Sequence, residues 1–247
     1  MKKNIFKSNG FQSLLASLLC IVLGLFLGYL VLLVINPAGA GEAILTVVKN
    51  FLTYKKTSSQ LKYLGNTLVK TAPLLMCSLS ILFAYKVGLF NIGAPGQYLI
   101  STMVTLMVAL SIPSESVPVG IIWLLAFLGG MLAGALWGAI PGLLKALLNI
   151  NEVLACIMTN WIAANLVTWM FDISNFKNMV ESTKSGYIYK TTFNGVATPK
   201  LGLDMLFPGS QVNGGILVAI VIAIAMYILM NKTTLGYELK ACGANRH

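Results

Sequence analysis

Residues with chemistry to offer fall in three short stretches. The first, Gly88–Gln97 (GLFNIGAPGQ), places three glycines, a proline, Asn91 and Gln97 between the apolar residues 81–84 and 99–110. Hydrocarbon does not tolerate unpaired backbone N–H and C=O groups, so non-helical chain at membrane depth is buried in protein or lines a water-filled cavity. On that ground the segment belongs to a pathway. Pro95 suits the first position of a helix, where a missing N–H costs nothing. The amides of Gly96, Gln97 and Tyr98 are then expected as open donors at the helix start. The Gly96 and Gln97 amides, with Gly93, Asn91, the Gln97 side chain and Asn160, form a neutral, hydrogen-bonding candidate substrate path.

The second stretch is Asn151–Ala163. Asn151 is a natural N-cap, and Glu152 in the first turn is stabilised by the positive end of the helix dipole. Helix capping is one reading of this pair; an inner gate or subunit contact is the other. Farther along, Thr159, Asn160, Asn165 and Thr168 interrupt an apolar helix and are expected to face other helices or a cavity. Asn160 and Ala164 share a face with Cys156. The third stretch, Thr234–Asn245, reads as a short helix, Tyr237–Cys242, capped by Gly243.

What is missing narrows the class. The only histidine is His247, and Cys20, Cys77, Cys156 and Cys242 are scattered without metal-ligand spacing. There is no Walker lysine motif, nucleophile elbow or metal pair, so neither an enzyme nor a metal site is expected. No second buried carboxylate partners Glu152 and no lysine sits mid-span, which weighs against a proton-driven carrier. Sodium coupling through carbonyls and hydroxyls stays open.

These residues must be positioned by membrane helices. Hydrophobic residues are 57% of the 247 and charged residues 10%, against about 25% charged in soluble domains. Long apolar runs without strict alternation give an all-α, polytopic membrane protein rather than a barrel. The net charge of +10 is assigned to lipid headgroups and topology control, not to nucleic acid. Six spans are predicted: about 11–35, 61–87, 95–112, 119–140, 152–171 and 214–230, with the chain broken near 88–97. The first carries a Gly24/Gly28 pair and is too long for a signal peptide. An interfacial helix is expected within 42–56, and Pro141–Asn151 as a short loop. Ala126, Gly130, Gly134, Gly138 and Gly142 recur every four residues, a helix-packing ridge. An even number of spans with a basic start puts both ends in the cytoplasm, and 172–213, with Lys177, Glu181, Lys184, Lys190 and Lys200, becomes a structured extracytoplasmic loop.

The segments Gly88–Gln97, Asn151–Ala163 and Gly236–Asn245, in this order and spacing, resemble the permease subunits of bacterial ABC importers for simple sugars and nucleosides. These form the branched-chain amino acid/ribose-type permease superfamily, and the likeness is to its nucleoside branch, served by a basic membrane lipoprotein receptor. Members of that branch show GLFNIGAEGQ, NEV followed by LN and IA, and GxxLRAxGxN. Pro95 stands here in place of glutamate, Lys240 in place of arginine, and Thr159-Asn160 in place of Leu-Asn. The resemblance implies one transmembrane permease domain over 1–247, expected to be incomplete at its C-terminus. It implies a translocation path in the bacterial cytoplasmic membrane and a 231–247 cytoplasmic segment (Gly236, Tyr237, Glu238, Lys240, Ala241, Gly243, Asn245) that couples to a separate ATPase. No cofactor is then expected in this chain, since ATP and Mg are bound by the ATPase. A second permease subunit, a substrate-binding lipoprotein and membrane lipids complete the expected partners. The alternative is a secondary carrier or channel for small neutral solutes.

Overall fold

The computed structural model describes residues 9–173, 176 and 196–244, and among these every regular element is a helix. The expected loop residues Lys177, Glu181, Lys184 and Lys190, and Asn245, lie outside the described residues. Six helices are long and apolar enough to cross a membrane: α1 (Asn9–Ile35), α3 (Thr57–Lys86), α4 (Ala94–Ser111), α5 (Val119–Leu148), α6 (Glu152–Ile173) and α8 (Gly215–Lys232). Between and after them lie the shorter α2 (Ala40–Lys49), α7 (Leu203–Leu206) and α9 (Thr234–Ala244). The chain divides into two compact units, residues 1–64 and 65–247, and α3 runs across the division.

In the first unit α1 turns into α2 at Asn36, whose Oδ1 accepts the Gly39 N–H at 3.2 Å. The interfacial helix is shorter than the sequence suggests, because Asn50 takes φ 45° and only a single tight turn, Asn50–Thr53, follows. Tyr54 then stacks on Tyr63 at 4.0 Å, and Gln60 Nε2 donates to the Tyr54 carbonyl at 2.7 Å. Together these hold the linker on the first turns of α3. Nothing lies within 4 Å of where a Cβ would stand on Gly24 or Gly28, so that pair keeps an open face.

In the second unit α4 is the central helix, packed along α5 and across α6. Ile100, Met103, Ala163 and Phe171 form its apolar core, with Trp137 and Leu166 against them. Two expectations need correction. Pro141 does not end α5; the helix continues to Leu148, and the loop shrinks to 149–151. Asn149, in the left-handed conformation (φ 51°), stops it, with its N–H turned back to the Leu144 and Lys145 carbonyls. Gly243 does not cap α9 but lies within it. The described end of the 172–213 loop is structured: Gly214 N–H donates to the Pro199 carbonyl at 2.7 Å, and Gln211 N–H reaches Asn66 Oδ1 at 2.9 Å.

Candidate functional site

The glycine ridge explains how α4 is placed. A Cβ on Gly130 would meet Thr105 Oγ1 and, at 3.0 Å, the Ser101 carbonyl. On Gly134 it would meet Ser101 Oγ, and on Gly138 the Gln97 amide nitrogen at 3.1 Å. The two helices run antiparallel, so the ridge opposes not apolar side chains but a row of polar ones, Thr105, Ser101 and Gln97. Gly142 departs from the expected packing role, having nothing within 4 Å. The next position along α4 would be Gly93, and the helix begins only at Ala94. Where α5 outruns the start of α4, a cavity of about 170 Å³ opens, lined by Asn91, Gln97, Gly138, Gly142, Lys145 and Glu152 among others.

One wall of that cavity is a neutral amide network. Asn91 and Gln97 face each other as reciprocal amides: Gln97 Nε2 donates to Asn91 Oδ1 at 3.2 Å, and Asn91 Nδ2 donates to Gln97 Oε1 at 3.4 Å. Asn91 Nδ2 also reaches Ser80 Oγ at 2.8 Å, and Asn91 Oδ1 accepts the Gly93 N–H at 3.0 Å. Cys156 Sγ lies 4.0 Å from the same oxygen. Ser80 is a member the sequence reading missed; a serine in a largely apolar run gives no signal of its partner.

The Gly96 and Gln97 amides, expected to be open, are not. Because α4 starts one residue before Pro95, Gln97 N–H already donates to the Gly93 carbonyl at 3.0 Å. Gly96 N–H donates to Asn160 Oδ1 at 2.9 Å. Asn160 also donates through Nδ2 to the Ile92 carbonyl at 3.0 Å. It therefore clamps both sides of the loop-to-helix junction from α6. The clamp requires the closeness that Gly96 permits, since a Cβ there would lie 2.6 Å from Asn160 Oδ1. Satisfying these buried groups makes the break tolerable in an apolar setting. Asn160, expected to line the substrate path, is instead a positioning residue with its amide spent on the backbone, and Gly96 and Gln97 present no free backbone donor to a solute.

Thr159 is buried and bonds its own helix at the Cys156 carbonyl. Asn165 and Thr168, by contrast, are exposed and return their hydrogen bonds to the Trp161 and Ala164 carbonyls. Such back-bonding satisfies a polar side chain within its own helix, so these two need no neighbour. At the cavity's other rim, Asn151 Oδ1 accepts the Val153 and Leu154 N–H groups at 2.9 and 3.4 Å, the capping role. Glu152 additionally pairs with Lys145 at 3.1 Å, tying the start of α6 to the last turns of α5.

The third motif meets the first. α9 folds back on α8 at Gly236, which is buried and allows no Cβ against the Met230 backbone (2.7 Å). Gly243 then touches the turn after α3: its Cβ would stand 2.8 Å from Gly88 N and 2.5 Å from the Val87 carbonyl oxygen. Gly88 has φ +74°, and its own Cβ would lie 2.6 Å from the Gly243 carbonyl oxygen. This is backbone against backbone, three residues before Asn91. Tyr237, Glu238 and Ala241 are exposed, whereas Lys240 is half-buried and donates to Asn231 Oδ1 at 2.9 Å.

Residues 63–247 match the family model described as branched-chain amino acid transport system / permease component. The chain is 32% identical over 96% of its length to the nucleoside ABC transporter permease protein NupB of Lactococcus lactis, covering 63% of that protein. It is 33% identical over 95% of its length to the guanosine ABC transporter permease protein NupP of Bacillus subtilis, covering 62%. The glucose ABC transporter permease protein TsgB13 of Haloferax volcanii is 31% identical over 74% of the chain, covering 47%. The chain therefore spans less than two thirds of the length of these relatives. No solved structure matches it. A family match over most of the chain and six apolar helices agree: this chain belongs to the branched-chain amino acid transport system / permease component family, and it is a multi-pass membrane protein.

Proposed function

We propose that the chain is the membrane domain of an ABC importer permease that carries nucleosides or simple sugars, with nucleosides favoured. The relatives matched over nearly all of it are named for nucleosides and guanosine, and the glucose relative matches less. The observation that carries the reading is the backbone contact between Gly88 and Gly243. It joins α9, whose Leu235, Tyr237 and Glu238 are exposed, to the turn that holds the amide network. The exposed face of α9, with Leu235, Tyr237 and Glu238, docks on a separate ATPase that binds ATP and Mg. A shift of α9 then passes directly into the backbone before Asn91.

The Asn91–Gln97 pair suits an uncharged, hydroxyl-bearing solute. Its amides bond each other at 3.2 and 3.4 Å and exchange those bonds for solute hydroxyls when the pair opens. Each exchange is close to balanced, because a net hydrogen bond is worth only about 1 kcal/mol. Weak, replaceable contacts allow release, which a transport path needs more than affinity. The α3–α4 turn, the 149–151 loop and α9 lie on the cytoplasmic side together with the N-terminus, and 172–213 lies outside, where a lipoprotein receptor delivers substrate. A second permease subunit completes the path.

A photo-crosslinking residue at position 237 in the full-length protein tests the docking. Capture of the ATPase subunit from the assembled transporter, and none from position 215 at the opposite end of α8, is expected. Equal capture at both positions, or none at 237, overturns the coupling assignment.

A further inference from the structure

A largely apolar groove of about 130 Å³ lies between α3, α8 and α9, with Leu82, Ala223 and Met226 among the residues that line it. Lys86 and Lys240 also line it. Among the described residues neither lysine forms an ion pair. Lys240 is nonetheless held in place. Asn231 Nδ2 donates to the Tyr227 carbonyl at 3.0 Å, which fixes its amide so that Oδ1 receives Lys240 Nζ at 2.9 Å. A cation is thus pinned at a largely hydrocarbon groove that a second lysine also lines.

We propose that this groove binds one anionic phospholipid, with the phosphate between Lys86 and Lys240 and an acyl chain along α3 and α8. Two ammonium groups without an ion pair call for an anion, and the apolar residues that line the groove with them call for a chain attached to it. A phospholipid supplies both in one molecule, and basic pockets between membrane helices hold such headgroups. A soluble anion would leave the apolar lining uncovered, and an apolar protein segment would leave the charges unpaired. The site is independent of the substrate path. Its occupant would bridge the ends of α3 and α9, the two elements joined at Gly88 and Gly243.

The test is retention of lipid by the purified full-length protein from bilayers of equal phosphatidylglycerol and phosphatidylcholine, read by native mass spectrometry and by titration with labelled lipid. Selective, stoichiometric retention of phosphatidylglycerol is expected. It should fall about fivefold in Lys86→Gln and about 30-fold in the double variant with Lys240→Gln. Met226→Trp, which fills the groove and keeps both lysines, should also lower retention, with thermal unfolding measured alongside to confirm folding. Lys232→Gln, a cation on the same helix end outside the groove, should leave it unchanged. Equal retention of both lipids, an equal loss in Lys232→Gln, or undiminished binding in Met226→Trp would overturn the proposal. So would finding the groove covered by another subunit in the assembled complex. None of these results bears on ATP-driven uptake, so the transport reading stands or falls separately.

Discussion

Adding one methyl group at the joint between α9 and the α3–α4 turn is the sharpest perturbation this architecture offers. Gly243 lies within a helix, so Gly243→Ala should by itself favour α9 by about 1 kcal/mol. In place, however, the new Cβ meets the Val87 carbonyl oxygen at 2.5 Å and Gly88 N at 2.8 Å. Neither is a side chain that can rotate away, and ordinary van der Waals contact begins at 3.4 Å. The helix must move by the better part of an ångström, a strain of about 2–3 kcal/mol by analogy with overpacked cores. Net loss of docking is then about 1–2 kcal/mol. Gly88→Ala should cost more, about 3 kcal/mol or above, because φ +74° adds the left-handed penalty to a similar clash. The double variant should be less than additive, since both methyls break one contact. Gly120→Ala is the control: it is also helical, has nothing within 4 Å, and should be neutral or slightly stabilising. Hydrogen exchange over 87–93 and 234–244, with ATP-driven uptake by the assembled transporter, reads both ends of the joint. Loss of protection in both segments and reduced uptake are expected for Gly243→Ala. Unchanged protection and uptake in that variant, matching Gly120→Ala, would refute a transmitting joint.

Three further outcomes follow from the same geometry. Asn160→Ala removes the partners of the Gly96 N–H and the Ile92 carbonyl at once, which should lower stability by about 2–6 kcal/mol at about 1–3 kcal/mol per orphaned group, measured by thermal unfolding in detergent; a shift within error would dismiss the clamp. Gln97→Ala should reduce uptake more than Lys200→Ala at matched membrane expression, whereas equal loss, or loss at Lys200 alone, would remove Gln97 from the path. The Lys145–Glu152 pair is partly exposed (24% and 25%), so it should contribute no more than about 1 kcal/mol. Reversing both charges should therefore leave unfolding temperature almost unchanged, and a large drop would point to a further role for the pair.

The spans were legible because hydropathy alone specifies them, and α1, α3, α4, α6 and α8 lie within a few residues of the predicted bounds. Pro141 misled because a proline normally closes a helix, yet Gly142 and the leucines after it carry α5 on to Asn149. The glycine ridge was readable as a contact face. Its partners were not, because nothing local tells that Gln97, Ser101 and Thr105 stand opposite, or that α4 begins too late to cover Gly142. The expectation of open amides at the start of α4 fails for a related reason. Whether the Gly96 N–H is open depends on Asn160, 64 positions away, and only the packing of α6 on α4 brings it there. The three motifs were each visible in sequence, but their meeting at Gly88–Gly243 and Asn91–Cys156 is a property of the fold.

ATP dependence tests the central claim most directly. The full-length protein would be reconstituted in liposomes with and without its ATPase subunit, and labelled nucleoside uptake followed after loading ATP or a non-hydrolysable analogue on the ATPase side. Uptake that requires both the ATPase and hydrolysable ATP is expected. Uptake of the same rate without the ATPase would contradict the account and make the protein a self-sufficient carrier or channel.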